Sequence, residues 1–142
     1  MLCVSWLAIV ASANTATGHG EDKPGPHGGE IRMPGAFHTE LVWAGPRRVK
    51  VYLLDMNYKE PLTMKSSVSV TVNPKSGEPV EASCKTSGTA FTCSWSKGPT
   101  RRDFASLLLT AERNGLKSVG PATYTPAAEH KHDHGAGHSH SH

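Results

Sequence analysis

The sequence predicts an all-β protein: an antiparallel immunoglobulin-like β-sandwich of seven to eight short strands, with disordered N- and C-terminal segments. Three observations predict it. Short apolar runs alternate with a period of two. Clusters of Gly, Pro, Asn and Ser interrupt them at short intervals. Only residues 101–113 could be taken for a helix, and their apolar residues are contiguous instead of spaced at helical period.

The elements follow in order. Residues 37–43, FHTELVW, place Phe37, Thr39, Leu41 and Trp43 on one face and His38, Glu40 and Val42 on the other. Residues 49–54 are apolar on both faces apart from Lys50, as expected of a central strand. Residues 55–59 form a turn, with Pro61 after it. Residues 68–72, VSVTV, alternate strictly, and 73–77, NPKSG, turn the chain again. Two strands, 80–85 and 91–96, carry Cys84 and Cys93, with a loop over 87–90 between them. Lys97-Gly98-Pro99 is the next break. A strand begins in 104–113, Asn114-Gly115 is a hairpin turn, and a last short strand lies within 116–124. Trp43, Val51, Leu53, Val70, Phe91, Trp95 and Leu108 are the expected core.

The ends have a different composition. Residues 1–13, MLCVSWLAIVASA, are apolar and close on Ala11-Ser12-Ala13, a small-x-small cleavage pattern. This reads as a signal peptide, too short to cross a bilayer, so the mature chain is expected to carry no membrane span. It lacks a basic n-region, which fits a late start codon or an atypical signal. Residues 14–26 read as a linker, 27–126 as the sandwich domain, and 127–142 as a His-rich flexible tail.

Of 142 residues, 37% are hydrophobic, and the net charge is +3 with neutral histidines. That allows one domain with a real core. No basic run is interleaved with aromatics, so nucleic acid is not an expected partner.

An exported chain retains two cysteines after cleavage, which implies a disulfide in an oxidising compartment. The short loop over 87–90 places Cys84 opposite Cys93, close enough to bridge. A thiolate metal site is the alternative, but the spacing is not CxxC.

Nine histidines are the anomaly, and six of them (His130, His132, His134, His138, His140 and His142) fall in the last thirteen residues. Imidazole is largely deprotonated at neutral pH and suits Zn, Cu, Ni and Co. A flexible tract can wrap one ion with several rings. Such a site imposes no geometry, so it does not choose the metal. An engineered tag would normally be an unbroken His run, and this tract is interrupted by Lys131, Asp133 and Gly-Ala-Gly. A second constellation lies near the start of the domain: His27-Gly28-Gly29, Met33, and His38-x-Glu40. His38 and Glu40 are two apart on a strand and share a face, read here as solvated. The glycines let His27 fold over that face. Two imidazoles and a carboxylate suit zinc or a similar ion, and Met33 favours copper.

Three stretches carry a resemblance: Pro26-His27-Gly28-Gly29, the aromatic-His-x-Glu-Leu-Val run over 37–42, and VYLLDMNYKEP over 51–61. Through them residues 26–126 resemble the small periplasmic sandwich domain at the N-terminus of heavy-metal efflux (RND-type) adaptor proteins, and related stand-alone exported proteins. The resemblance implies periplasmic metal binding, with His27, His38 and Glu40 at the matching polar positions. The helical hairpin and lipoyl-like parts of an adaptor are absent from these residues, so the expectation is a free domain, a metal buffer or a donor to an efflux system.

The expected function is therefore binding or handling of divalent transition-metal ions in the periplasm, in homeostasis, resistance or efflux. The alternative is a protein-interaction sandwich whose tail binds metal incidentally. An enzyme is not expected, since no Gly-x-Ser-x-Gly occurs and a disulfide would remove any Cys–His pair.

Overall fold

The computed structural model describes residues 23–127. The signal-like segment, most of the linker and the six tail histidines lie outside the described residues.

The described chain forms ten strands and no helix: β1 (Glu30–Arg32), β2 (His38–Gly45), β3 (Arg48–Leu54), β4 (Ser67–Pro74), β5 (Val80–Glu81), β6 (Ser83–Ser87), β7 (Ala90–Ser94), β8 (Phe104–Arg113), β9 (Leu116–Lys117) and β10 (Ala122–Tyr124). They make two antiparallel five-stranded sheets. One has the order β1-β2-β3-β7-β6, the other β10-β8-β4-β5 with β9 paired to β8. The sheets face each other across one core, as the immunoglobulin-like sandwich expectation requires.

The core comes from alternate positions of both sheets. Leu41, Val49, Val51, Leu53, Phe91 and Cys93 meet Val70, Val72, Phe104, Leu107, Leu109 and Tyr124. Full burial of such an aliphatic side chain contributes about 1.5–3 kcal/mol. Trp43 packs against this cluster from a partly buried position, tilted against Phe104. Leu108 is a correction. In the Leu107-Leu108-Leu109 run the period of two turns the first and third residues inward, and Leu108 is only partly buried. The stretch that could have been helical is β8, the long partner of β4.

The expected last strand is divided into β9 and β10 by residues 118–121, where Val119 N–H donates to the Pro34 carbonyl. The short strand β1 had no counterpart in the sequence reading. Cys84 and Cys93 stand opposite each other in β6 and β7 and are disulfide-bonded, with an S–S distance of 2.06 Å. The connecting turn is tighter than expected: Ser87 pairs with Ala90, which leaves only Gly88 and Thr89 between strands. Gly88 takes a φ of +61°, suited to the first central position of a two-residue hairpin. No described helix is long and apolar enough to cross a membrane.

Candidate functional site

The site is built on the outer face of the first sheet. Strand pairing aligns Ile31 of β1, Glu40 of β2 and Tyr52 of β3 in one row across that face. The sequence reading left this face to solvent, but it is covered. Residues 25–29 fold back over the row in a turn closed by Gly25 N–H to the Gly29 carbonyl (2.8 Å) and Gly28 N–H to the Gly25 carbonyl (2.9 Å).

Glycine is required at two places in this cover. A Cβ on Gly29 would stand 2.5 Å from the Leu41 carbonyl oxygen, and one on Gly25 would stand 2.6 Å from the Glu40 carboxyl. Gly25 thus belongs to the folded domain and not to a linker.

Glu40 is consequently fully buried, at 0% exposure. Its solvated placement is corrected, and the reason is the glycine cover. A buried carboxylate needs donors, and the same turn supplies them. Oε1 accepts the backbone N–H groups of His27 (2.7 Å) and Gly29 (3.0 Å), and Oε2 meets His27 Nδ1 at 2.7 Å. The His27 ring lies flat on Tyr52, with centroids 3.6 Å apart and an interplanar angle of 3°. Its side chain keeps 33% exposure.

This geometry fixes the imidazole. With the Glu40 carboxylate as acceptor, Nδ1 carries the proton, and in the neutral ring Nε2 carries the lone pair. The arrangement is the one by which a carboxylate orients a metal-binding histidine. Both oxygens of Glu40 are thus engaged by the turn, Oε1 by the His27 and Gly29 N–H groups and Oε2 by His27 Nδ1.

His38 is also buried, at 4% exposure, against the expectation of an exposed residue. Its Nδ1 lies 3.0 Å from the Asp55 carbonyl, and its ring stacks on Tyr58 with centroids 4.2 Å apart. The Asp55–Lys59 turn that provides both contacts is tightly closed. Asp55 N–H donates to the Lys59 carbonyl (2.8 Å), and the Asp55 carboxylate accepts the N–H groups of Asn57 (2.8 Å) and Lys59 (2.9 Å). The Lys59 N–H above all, with the Asn57 N–H and the charges of Arg113 and Lys59, holds the Asp55 carboxyl below its ordinary pKa against a partial loss of hydration. Tyr58 takes a φ of +62°, rare for a bulky residue.

Of the residues singled out from the sequence, the structure joins His27 directly to Glu40, while His38 turns to the Asp55 carbonyl and Tyr58. Met33 stands exposed in the loop after β1. No group of three or more His, Cys, Asp and Glu able to hold a metal occurs among the described residues. Tyr52, Tyr58 and Asp55 were not anticipated. Only the register, which sets Tyr52 opposite Glu40, reveals the first of them.

No family model, curated protein or solved structure matches this chain.

Proposed function

We propose that this is an exported, periplasmic protein that binds and handles divalent transition-metal ions (Zn, Cu, Ni or Co) through imidazole, in metal homeostasis, resistance or efflux. It acts as a binder and not as an enzyme. The observation that carries this reading is the His27–Glu40 pair: a fully buried carboxylate holds Nδ1 at 2.7 Å in a ring whose side chain stays partly exposed. His27 supplies one oriented ligand, and water or the tail histidines complete the coordination. The tail supplies the bulk of the capacity, and an efflux system is the natural recipient of its cargo.

The test uses a chain ending at residue 126. Zn(II) should move the His27 ring nitrogen signals in NMR titration, and His27→Ala should abolish the response. Silence of His27 toward Zn, Cu(II) and Ni would assign all metal chemistry to the tail.

A second reading, an interaction sandwich with incidental metal binding, is favoured by one surface feature. The exposed large hydrophobic side chains of the domain are Met33, Met56, Met64, Leu116 and Val119. Met33, Met56, Met64 and Val119 sit on loops, and Leu116 in the short strand β9, at the end of the sandwich where β2 begins and β3 ends. A truncated chain that binds no metal would leave this reading standing.

A further inference from the structure

The opposite end of the sandwich, where β2 turns into β3, holds charge that the metal reading does not use. The loop after β7 closes over that turn. Trp95 N–H donates to the Arg47 carbonyl (3.2 Å), Arg101 N–H to the Pro46 carbonyl (2.8 Å), and Arg47 Nε to the Gly98 carbonyl (3.0 Å). Gly98, at a φ of +88°, comes so near the second sheet that a Cβ there would stand 2.7 Å from Val80 Cγ2. Turn, loop and β5 together wall an open groove of about 930 Å3.

Strand register sets one side of it. Arg48 pairs with Ser94 and Ser94 with Ser83, in one row on the outer face of the first sheet. Cys93 and Cys84 are the neighbours of those serines, so the disulfide fastens the two hydroxyl-bearing positions side by side. Arg47, Arg48 and Lys97 line the groove with Ser83 and Ser94. Arg48 and Lys97 are exposed, and among the described residues neither side chain makes an ion pair or hydrogen bond. The bond from Nε to Gly98 steadies the Arg47 guanidinium and leaves its outer nitrogens unused. The acids nearby are engaged. Glu81, in the groove wall, accepts the Thr71 hydroxyl, and Asp103, in the field of Arg47, accepts the Thr100 hydroxyl.

Three cations against one carboxylate leave the groove positive by two charges. A phosphate monoester matches that, with about −1.5 to −2 at pH 7; the phosphodiester of a lipid headgroup carries half as much. The planar guanidinium fork suits two phosphate oxygens at once, and serine hydroxyls can donate to a third. Val80, Pro46 and Trp95 give the groove an apolar side for the rest of the ligand. Its volume lies within the roughly 300–1,000 Å3 of pockets that hold small molecules.

We propose that this groove binds a small soluble phosphate monoester, held by Arg47, Arg48 and Lys97 with the Ser83 and Ser94 hydroxyls. It shares no residue with the His27–Glu40 pair and stands whether or not the divalent reading does.

The experiment is a titration of the metal-free full chain with glycerol phosphate, read on the backbone amide signals at pH 8, where the tail histidines are neutral. The Arg48, Ser83, Ser94 and Lys97 amides should shift together and saturate, while sodium chloride at equal ionic strength leaves them in place. Arg48→Gln should raise the half-saturating concentration by about tenfold or more, the consequence of losing a charge-assisted bond. Lys85→Gln, one row away on the same face, should change it by less than about threefold, because exposed charges at that distance are screened. Glu81→Gln should lower it, since it removes the one carboxylate of the groove. Four results would each overturn the proposal: amides that stay still, equal shifts with chloride, equal weakening by Arg48→Gln and Lys85→Gln, or weaker binding by Glu81→Gln. Binding to phosphatidylglycerol vesicles without a response to glycerol phosphate would also overturn it, and would assign the cations to a membrane surface instead.

Discussion

Replacing Glu40 by Gln tests the orienting role most sharply, because it keeps the shape and removes only the charge. In the native protein Oε1 accepts two backbone N–H groups and Oε2 accepts from His27 Nδ1, at 2.7, 3.0 and 2.7 Å. A glutamine carbonyl can keep the first two bonds. Its NH2 group then faces Nδ1, which can remain bonded only by giving up its proton and becoming the acceptor. The proton moves to Nε2, and the atom offered to a metal loses its lone pair. Bonds to a charged acceptor contribute about 1.5–3 kcal/mol and neutral ones about 0.5–1.5, so three weakened bonds lower stability by about 3 kcal/mol before relief. The relief is that no charge need be buried, a cost of several kcal/mol per ion. Net destabilisation by Glu40→Gln should therefore stay within about 2 kcal/mol. Glu40→Ala is different: it orphans the His27 and Gly29 N–H groups at about 1–3 kcal/mol each and opens a void, for about 3–5 kcal/mol in all. Nitrogen-15 NMR at pH 8 reads the tautomer, urea unfolding reads stability, and Zn(II) titration of the chain ending at 126 reads binding. Glu40→Gln should fold, carry its proton on Nε2 and lose the His27 response. Retention of the proton on Nδ1 in the variant, or undiminished zinc binding, would refute the argument.

Four further outcomes are expected. Reduction of the disulfide, or replacement of both Cys84 and Cys93 by Ser, should lower stability by about 2–3 kcal/mol in urea unfolding, since the bridge closes a loop of only about ten residues. Gly29→Ala should cost about 1–3 kcal/mol and loosen His27 from Tyr52, read as loss of ring-current shifts, because its Cβ would press on the Leu41 carbonyl. The Asp55 carboxyl titrates below its ordinary value in the folded state. Its contribution is therefore complete above about pH 3.9 and lost as pH falls through the lower folded value; Asp55→Asn should flatten that acid limb of a stability-versus-pH curve. Metal binding by the tail histidines should weaken strongly between pH 7 and pH 5, since protons compete for imidazole with an ordinary pKa near 6.5; calorimetry at the two values checks it.

Most of the sandwich was legible because its strands are short alternating runs between strong turn residues. At the start of β2 the inner set Phe37 (just before the strand), Thr39 and Leu41 is placed as the period of two demands, with Thr39 bonded to the buried Tyr124 hydroxyl at 2.7 Å. Register at the disulfide was legible too, since a short hairpin leaves few ways to oppose two cysteines. What a period of two cannot report is whether the second face of a sheet is covered. His38 and Glu40 share that face as expected, yet both are buried, because residues 25–29 and the 55–59 turn lie over them. The only local sign was the three glycines around His27, which permit the close approach but do not specify where it lands. That His27 would fold over this face was legible from those glycines; its direct pairing with Glu40 was not. The separation of His38 from them was not, because it depends on a carbonyl presented by a turn at the far end of β3.

A buried carboxylate also explains why the N-terminal turn and the imidazole behave as one unit. Glu40 in the sheet is satisfied only while residues 27 and 29 stay docked, and the His27 ring keeps its orientation only while Glu40 holds Nδ1. Undocking the turn would expose a cavity with an unpaired charge, so the segment is tied to the sheet by more than its two backbone turn bonds. On the proposed reading this makes metal binding and docking reciprocal. An ion on Nε2 draws electron density from the ring and strengthens the Nδ1–H bond to Glu40, which secures the turn. The docked turn in turn presents Nε2 to the ion. Linkage sets the size: an ion present at 100 times its dissociation constant stabilises the docked form by about 2.7 kcal/mol. Such a gain is comparable with the cost of losing one of the charged bonds, so amide exchange at Gly29 and His27 should slow by about a hundredfold on saturation with Zn(II). Unchanged exchange at these two amides, with zinc demonstrably bound to the chain, would show that the ion sits elsewhere and that Glu40 serves the fold alone.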